Sequence, residues 1–328
     1  MRESNWVWMN SEMIAWKDAK VPFLTHALHY GTGAFEGIRC FSTPKGSAIF
    51  RLREHISRLF ESAKIYLMKI PYLQDELVEA ATRTVGVNKL EECYIRPLAY
   101  YGYGEMGLNP LPNKVNIGIA AWPWDSYLGV KAENEGVRCQ VSSWRRVHPS
   151  SLPPQAKSTA NYANGSLAKI EALKAGYDEA ILLNMQAMVA EASGENIFRV
   201  KDGVLSTPPA SSGVLRGITR DTIIRLAGDT GIEFRRVDIS REELYTSDEL
   251  FLTGTAAGIT PVREVDGRSV GNGDWPVMRK IKRAYEDIIH GKNSQYEKWL
   301  TFVPSSTATA KIPEIASSRS RTARPLKS

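Results

Sequence analysis

The stretch Gln155–Phe198, QAKSTANYANGSLAKIEALKAGYDEAILLNMQAMVAEASGENIF, decides how the rest of the chain is read. Lys157 stands among small, uncharged residues: Pro153 and Pro154 precede it, and Ser158, Thr159 and Ala160 follow. A lysine without neighbouring charge suits a depressed pKa, which an imine-forming amine requires. The periodicity predicts a helix from near Tyr162 to about Ala175, then a strand over Ala180 to Leu183. A short turn and a second apolar run, Met188 to Ala190, come next. Glu191 stands directly after that run, at an expected strand end, where a carboxylate can face a protonated ring nitrogen. Taken singly, Lys and Glu are mostly surface residues, so the rest of the chain has to decide.

The chain has 328 residues and is 43% hydrophobic, enough for two compact domains or one large one. MRESNWVWMN at the start lacks the basic opening and apolar core of a signal peptide, and no apolar run approaches a membrane span. A soluble, cytoplasmic protein with no membrane partner is expected. Cys40, Cys93 and Cys139 have no CxxC spacing, which argues against a disulfide scaffold or a four-cysteine zinc site. The five histidines form no HxxxH pair, so no metal is expected. The net charge of +6 belongs mostly to the end of the chain. From Thr301 on, Lys311, Arg319, Arg321, Arg324 and Lys327 face only Glu314, leaving about +2 for the remainder. That is no footprint for nucleic acid.

Val7–Met9 and Met13–Trp16 read as short strands around a turn at Asn10–Ser11. Gly31, Gly33 and Gly37 then punctuate an aromatic-containing run, where the backbone can approach something closely. A strand is expected over Ala48 to Arg51, a helix over Arg53 to Ala63, and a second helix over about Leu73 to Val85. CYIRPLAYY, Cys93 to Tyr101, reads as a strand with Tyr94, Arg96 and Leu98 on one face. An arginine beside a tyrosine there is a good carboxylate receptor, because its fork binds two oxygens. A Gly- and Pro-rich loop, GYGEMGLNPLP, follows it, and Val115 to Trp122 reads as a buried strand. In the second half, strands are expected at Val137–Val141, Asn196–Lys201, Val204–Ser206 and Glu249–Leu252, the middle two joined by a hairpin turn at Asp202–Gly203. Thr219 is the expected N-cap of a helix to about Ala227, with backbone N–H groups beside it as a phosphate seat. Val277–His290 is an amphipathic helix stopped at Gly291.

With Lys157 and Glu191 in place, three further stretches carry a resemblance: HALHYGTGAFEGIRCF (His26–Phe41), SSGVLRGITRD (Ser211–Asp221) and FLTGTAAGITPV (Phe251–Val262). The chain resembles the class IV aminotransferases that use pyridoxal 5'-phosphate (PLP), and within them the branched-chain amino acid enzymes. The motifs keep the family's order from Trp6 to about Leu300. The resemblance implies an α+β, two-domain fold type IV protein similar to D-amino acid aminotransferase, with PLP at the domain interface and a homodimer as the active unit. The stretch 124–136 reads as a linker between an N-terminal domain 1–123 and a PLP-binding domain 137–300, and the Ser-, Thr-, Ala- and Arg-rich composition beyond Leu300 reads as a disordered tail 301–328 outside the resemblance. The resemblance implies amino-group transfer from leucine, isoleucine or valine to 2-oxoglutarate, in two half-reactions.

The resemblance also implies roles. Lys157 anchors PLP as a Schiff base and moves the proton; Glu191 sits against the pyridine nitrogen; Tyr162 meets the 3-oxygen. Arg58, Ile218, Thr219 and Thr255 hold the phosphate. Tyr94 and the backbone near Thr255 and Ala256 hold the substrate α-carboxylate. Arg96 takes the distal carboxylate of glutamate, with help from Tyr30 and the loop near Leu108 of the partner subunit. Phe35 and Tyr162 receive an apolar side chain in the same space. Sister activities stand as alternatives: D-amino acid or amine aminotransferase, aminodeoxychorismate lyase, or a non-catalytic PLP-binding paralogue. Three positions depart from the family's commonest pattern. Thr159–Ala160 stands for Gly-Gly, Gln186–Ala187 for Asn-Gly, and Arg216 for proline.

Overall fold

The computed structural model describes residues 2–124, 129, 132 and 135–304. Most of the expected linker, and residues 305–328 of the expected tail, lie outside the described residues.

The first half is an antiparallel sheet. Its strands run in the order Leu300–Phe302, Gly46–Phe50, Ile38–Thr43, Cys93–Tyr101, Val115–Pro123, Trp6–Met9 and Glu12–Ala15, with Gly33–Phe35 also paired to Cys93–Tyr101. Period-two alternation organises it: Ile95, Ala99 and Tyr101 bury one face of the central strand. They pack with Leu52, Ile56 and Leu59 of the Leu52–Ile65 helix and Leu77, Ala81 and Val85 of the Gln74–Val87 helix. Tyr94 and Arg96 are thereby turned to the opposite face.

The second sheet is mixed. Val137–Val141 pairs in parallel with both Glu179–Leu183 and Gly258–Val265. Parallel neighbours require a crossover, and the Thr159–Lys174 helix supplies it. Ala168 and Ala172 of that helix pack on Ala180 and Leu182 of the sheet. Lys157 is therefore carried on the rising limb of a buried crossover. The two sheets share a core: Phe41, Ala48 and Phe50 of the first meet Phe198 and Phe251 of the second, together with Met278, Ile281 and Tyr285 of the Pro276–Ile289 helix.

Several elements differ from the sequence expectation. The expected strand Met13–Trp16 is Glu12–Ala15, because Trp16 opens a short 3-10 turn. His26–Tyr30 is a one-turn helix ended by Gly31 at φ 65°, hidden in sequence by the glycines after it. The crossover helix begins at Thr159, three residues before Tyr162. Thr219 is not an N-cap: Gly217 takes that position and the helix is Ile218–Asp229. A Cβ on Gly217 would lie 2.0 Å from Asn196 Oδ1, so only glycine lets the chain pass there. Order also continues past Leu300. Thr301 and Phe302 pair with Ile49 and Ala48, so this strand crosses the boundary expected at residue 300 and joins the first sheet. The hairpin turn at Asp202–Gly203 is as expected, both residues having positive φ. Among the described residues, no helix is long and apolar enough to cross a membrane, and no cluster of three metal-ligating side chains occurs.

Candidate active site

The cleft between the sheets is lined by Arg58, Lys157, Tyr162, Glu191, Ile218, Thr219 and Thr255, together with Arg146, Glu195, Asn196 and Thr253. The backbone of Lys157 is fixed from both sides: its N–H donates to Ser62 Oγ at 3.0 Å, and its C=O accepts from Phe35 N–H at 2.9 Å. Asn161 Nδ2 ties the loop by donating to the carbonyls of Pro153 (2.7 Å) and Ala156 (2.9 Å). The Lys157 amine donates to the Tyr162 hydroxyl and lies 5.0 Å from the centre of the Phe35 ring. Burial, aided by Arg58 and Arg96, pushes its pKa down to about 8 against the pull of Glu36. Burial pushes the Tyr162 phenol well above its ordinary range, so it stays protonated.

Glu191 does not follow its strand but lies within it, since the strand is Val189–Ala192. An irregularity between Val189 and Glu191 shifts the register of this strand against Glu179–Leu183 beside the cleft. The Glu191 carboxylate accepts from Arg146 Nη2 at 2.8 Å, Leu215 N–H at 2.9 Å and Asn196 Nδ2 at 3.0 Å. Burial raises its pKa, opposed by Arg146 and the Leu215 N–H. Glu195, close by, is pushed up to about 8 by burial and by the Glu179 charge. It is therefore largely neutral near pH 7 and adds little negative charge to the cleft.

Arg58 is held in a buried cluster that the sequence did not reveal. Its Nε and Nη2 donate to the two oxygens of Glu36 at 2.7 and 2.9 Å, and His55 Nδ1 lies 2.7 Å from the same carboxylate. Burial alone would raise the Glu36 pKa, but Arg58 and His55 more than reverse that and keep it ionised. Arg58 Nη1 also donates to Arg216 O at 2.8 Å.

Around this cleft, the Arg96 guanidinium stacks 4.8 Å from the Phe35 ring centre and 5.3 Å from that of Tyr94. Its Nη2 donates to Tyr94 Oη at 3.4 Å, while its Nε is buried without a partner among the described residues. Phe35 in turn meets the Tyr162 ring at 4.6 Å. Gly37 permits this cluster: a Cβ there would come within 1.8 Å of Tyr94 Oη. Tyr30 and Leu108 do not line the cleft. Tyr30 lies against His26, and Leu108 is 85% exposed. Ala256 lines a separate small cavity with Arg39 and Phe41.

The class IV amino-transferase family model matches residues 33–265. The chain belongs to the class IV aminotransferases. It is 47% identical over 306 residues to a Salmonella typhimurium branched-chain-amino-acid aminotransferase, spanning 93% of this chain and 99% of that one. The crystal structure of the Escherichia coli branched-chain amino acid aminotransferase matches with a TM-score of 0.90 at 47% identity, covering 92% of this chain and 100% of that one. The branched-chain amino acid aminotransferase from Thermobaculum terrenum, in its PLP-bound holo-form, matches with a TM-score of 0.86 at 34% identity, covering 92% and 99%.

The cleft of this class IV aminotransferase fits PLP. Its wall carries an amine of lowered pKa, the buried Glu191 carboxylate, and Arg58 beside the first residues of the Ile218–Asp229 helix, whose N–H groups suit a phosphate. Thr253 Oγ1, also on the wall, is buried without a partner among the described residues. Glu36, His55, Arg146 and Thr253 were missed in the sequence. Glu36 and Thr253 at least lie inside quoted motifs; Arg146 carries no local signal at all.

Proposed function

We infer that the protein is a cytoplasmic, homodimeric enzyme that uses PLP to transfer the amino group of leucine, isoleucine or valine reversibly to 2-oxoglutarate. The observation that carries this reading is the Lys157 amine, of lowered pKa and against the Tyr162 hydroxyl, in a cleft whose wall also holds Glu191 and Arg58.

Bound PLP supplies the electron sink that lets the Cα–H bond of an amino acid break. Lys157 Nζ would anchor the cofactor covalently and, once displaced by the substrate amine, would take the proton from Cα and deliver it to the cofactor's C4′ carbon. Glu191, oriented by Arg146, Asn196 and Leu215 N–H, holds a proton on the cofactor's ring nitrogen. Tyr162 Oη donates to the 3-oxygen. Arg58, fixed by Glu36, binds the phosphate together with Ile218 and Thr219 N–H and Thr255. Tyr94 and the backbone near Thr255 and Ala256 orient the substrate α-carboxylate. Arg96 binds a distal carboxylate through donors the protein leaves free, and Phe35 and Tyr162 receive a branched aliphatic group.

Two segments support the dimer. His26 N–H donates to Gly102 O at 3.1 Å and His26 Nε2 lies 2.7 Å from Gly107 O, joining segment 21–30 to loop 102–111. Together they expose Phe23 (82%), Leu28, Tyr103 and Leu108, an apolar surface a second subunit would cover. In this reading Tyr30 and the loop near Leu108 of the partner subunit assist Arg96 with the distal carboxylate.

The test is glutamate formation from L-leucine and 2-oxoglutarate by the PLP-loaded protein, with D-amino acids and amines as controls. Sedimentation gives the subunit number. No glutamate with L-leucine, but turnover with a D-amino acid or an amine, would replace this substrate assignment by a sister activity.

A further inference from the structure

Outside the cofactor cleft, a cavity of about 580 Å³ opens beside the Leu52–Ile65 and Ile218–Asp229 helices. Six guanidinium groups line it: Arg51, Arg58, Arg216, Arg220, Arg225 and Arg236. Only three carboxylates share the wall, and two of them are committed. Glu54 accepts from Arg51 at 2.9 Å, and Asp221 accepts from Arg51 at 2.7 Å and Arg225 at 3.0 Å. Glu61, the third, is exposed. Arg58 is held by Glu36 and Arg216 O and belongs to the cofactor cleft.

Arg216, Arg220 and Arg236 are left without an ion-pair partner among the described residues. Arg220 is the informative one. It is only 7% exposed, its Nη2 donates to Pro208 O at 2.9 Å, and its Nε is buried without a partner. A buried guanidinium with no ion-paired carboxylate is costly. Burial and the neighbouring Arg236 push its pKa down against the weaker pull of Glu191 and Asp221, and an anion in the cavity would add to that pull. Several planar forks on one cavity wall match the oxygens of a phosphate better than those of a single carboxylate.

We propose that this cavity is a binding site for a small phosphate-type polyanion, held by Arg216, Arg220 and Arg236 and separate from the site of the cofactor's phosphate. Arg58, Gly217 and Ile218 belong to both walls, so the two anions would lie on opposite sides of the same short segment.

The test is calorimetric titration of PLP-saturated enzyme with inorganic pyrophosphate at constant ionic strength. Saturable binding is expected, weakened on the order of tenfold to a hundredfold by combining the exposed substitutions Arg216→Ala and Arg236→Ala, as loss of charged hydrogen bonds implies. Non-saturable heats, or unchanged affinity in the double variant, would overturn the proposal. Binding seen only in the PLP-free protein would also overturn it, since pyrophosphate would then be occupying the cofactor's cradle. Equal affinity for citrate would show that the cavity selects charge alone and would remove the phosphate assignment.

Discussion

At the residue scale, the Lys157 amine sits with two guanidinium groups and one carboxylate in its field, and burial decides the balance. Its free-base fraction therefore changes most near pH 8. Covalent capture of PLP needs that free base, so the uptake rate of apoprotein should rise from about pH 6.5 and level off above about pH 9. Stopped-flow absorbance would measure it, and a rate still climbing beyond about pH 10 would mean that the amine is not desolvated as described. Lys157→Ala should bind PLP non-covalently and turn over nothing. Arg96 supports a different experiment. Arg96→Met should slow the half-reaction with glutamate far more than that with leucine. Leucine loses only packing, whereas glutamate leaves a carboxylate unpaired, at about 1–3 kcal/mol or more. Single-turnover rates with each donor give the ratio; equal losses would assign Arg96 to the shared α-carboxylate or to the fold.

At the scale of elements, the turn before the Val189–Ala192 strand shows what the Gln186–Ala187 departure does. Ala187 adopts φ 62°, in the left-handed region, and Asn184 Oδ1 accepts from both Gln186 and Met188 N–H to hold the turn. The chain thus keeps a left-handed turn with a side chain that disfavours it. Ala187→Gly should relieve about 1–2 kcal/mol of backbone strain and lose about 0.5–1 kcal/mol to the flexibility of the unfolded chain, for a net gain of up to about 1.5 kcal/mol. A rise in the denaturant midpoint at unchanged slope is the expected result; a fall would place the strain elsewhere. Thr159, the other departure near the cofactor, has found work. Its hydroxyl donates to Gly31 O at 2.7 Å and accepts from Gly33 N–H at 3.1 Å, joining the lysine loop to the strand that carries Phe35.

Across the whole molecule, the end of the described chain returns to the sheet where it began. Leu300–Phe302 pairs with Gly46–Phe50, Val303 N–H donates to Ser47 O at 2.9 Å, and Leu300 belongs to the core shared by both halves. A chain ending after Leu300 loses the pairing of Thr301 and Phe302 and part of the packing of Phe302. That should cost about 2 kcal/mol and lower Tm by several degrees. A chain ending after Pro304 keeps all of it and should melt with the full-length protein. Calorimetry on the two truncations would separate them, and equal Tm values would show that the closing strand contributes nothing.

What the sequence determined by itself was whatever rests on local pattern or motif. The Cys93–Tyr101 and Val137–Val141 strands have the bounds expected from their apolar residues, and the Asp202–Gly203 turn follows from residues that accept positive φ. Lys157, Tyr162, Glu191, Arg58, Ile218, Thr219 and Thr255 were legible through motifs, and the fold brings all of them to one cleft. The tertiary structure alone decided how those groups are charged and held. Glu36 reads in sequence as one more glutamate, and becomes the buried partner of Arg58 only because the Leu52–Ile65 helix crosses the Phe35 strand. Arg146 meets Glu191 across a separation of 45 positions, and its guanidinium opposes the rise that burial imposes on the carboxyl. Desolvation and pairing depend on what surrounds a side chain in space, and residues distant in the chain supply most of those surroundings.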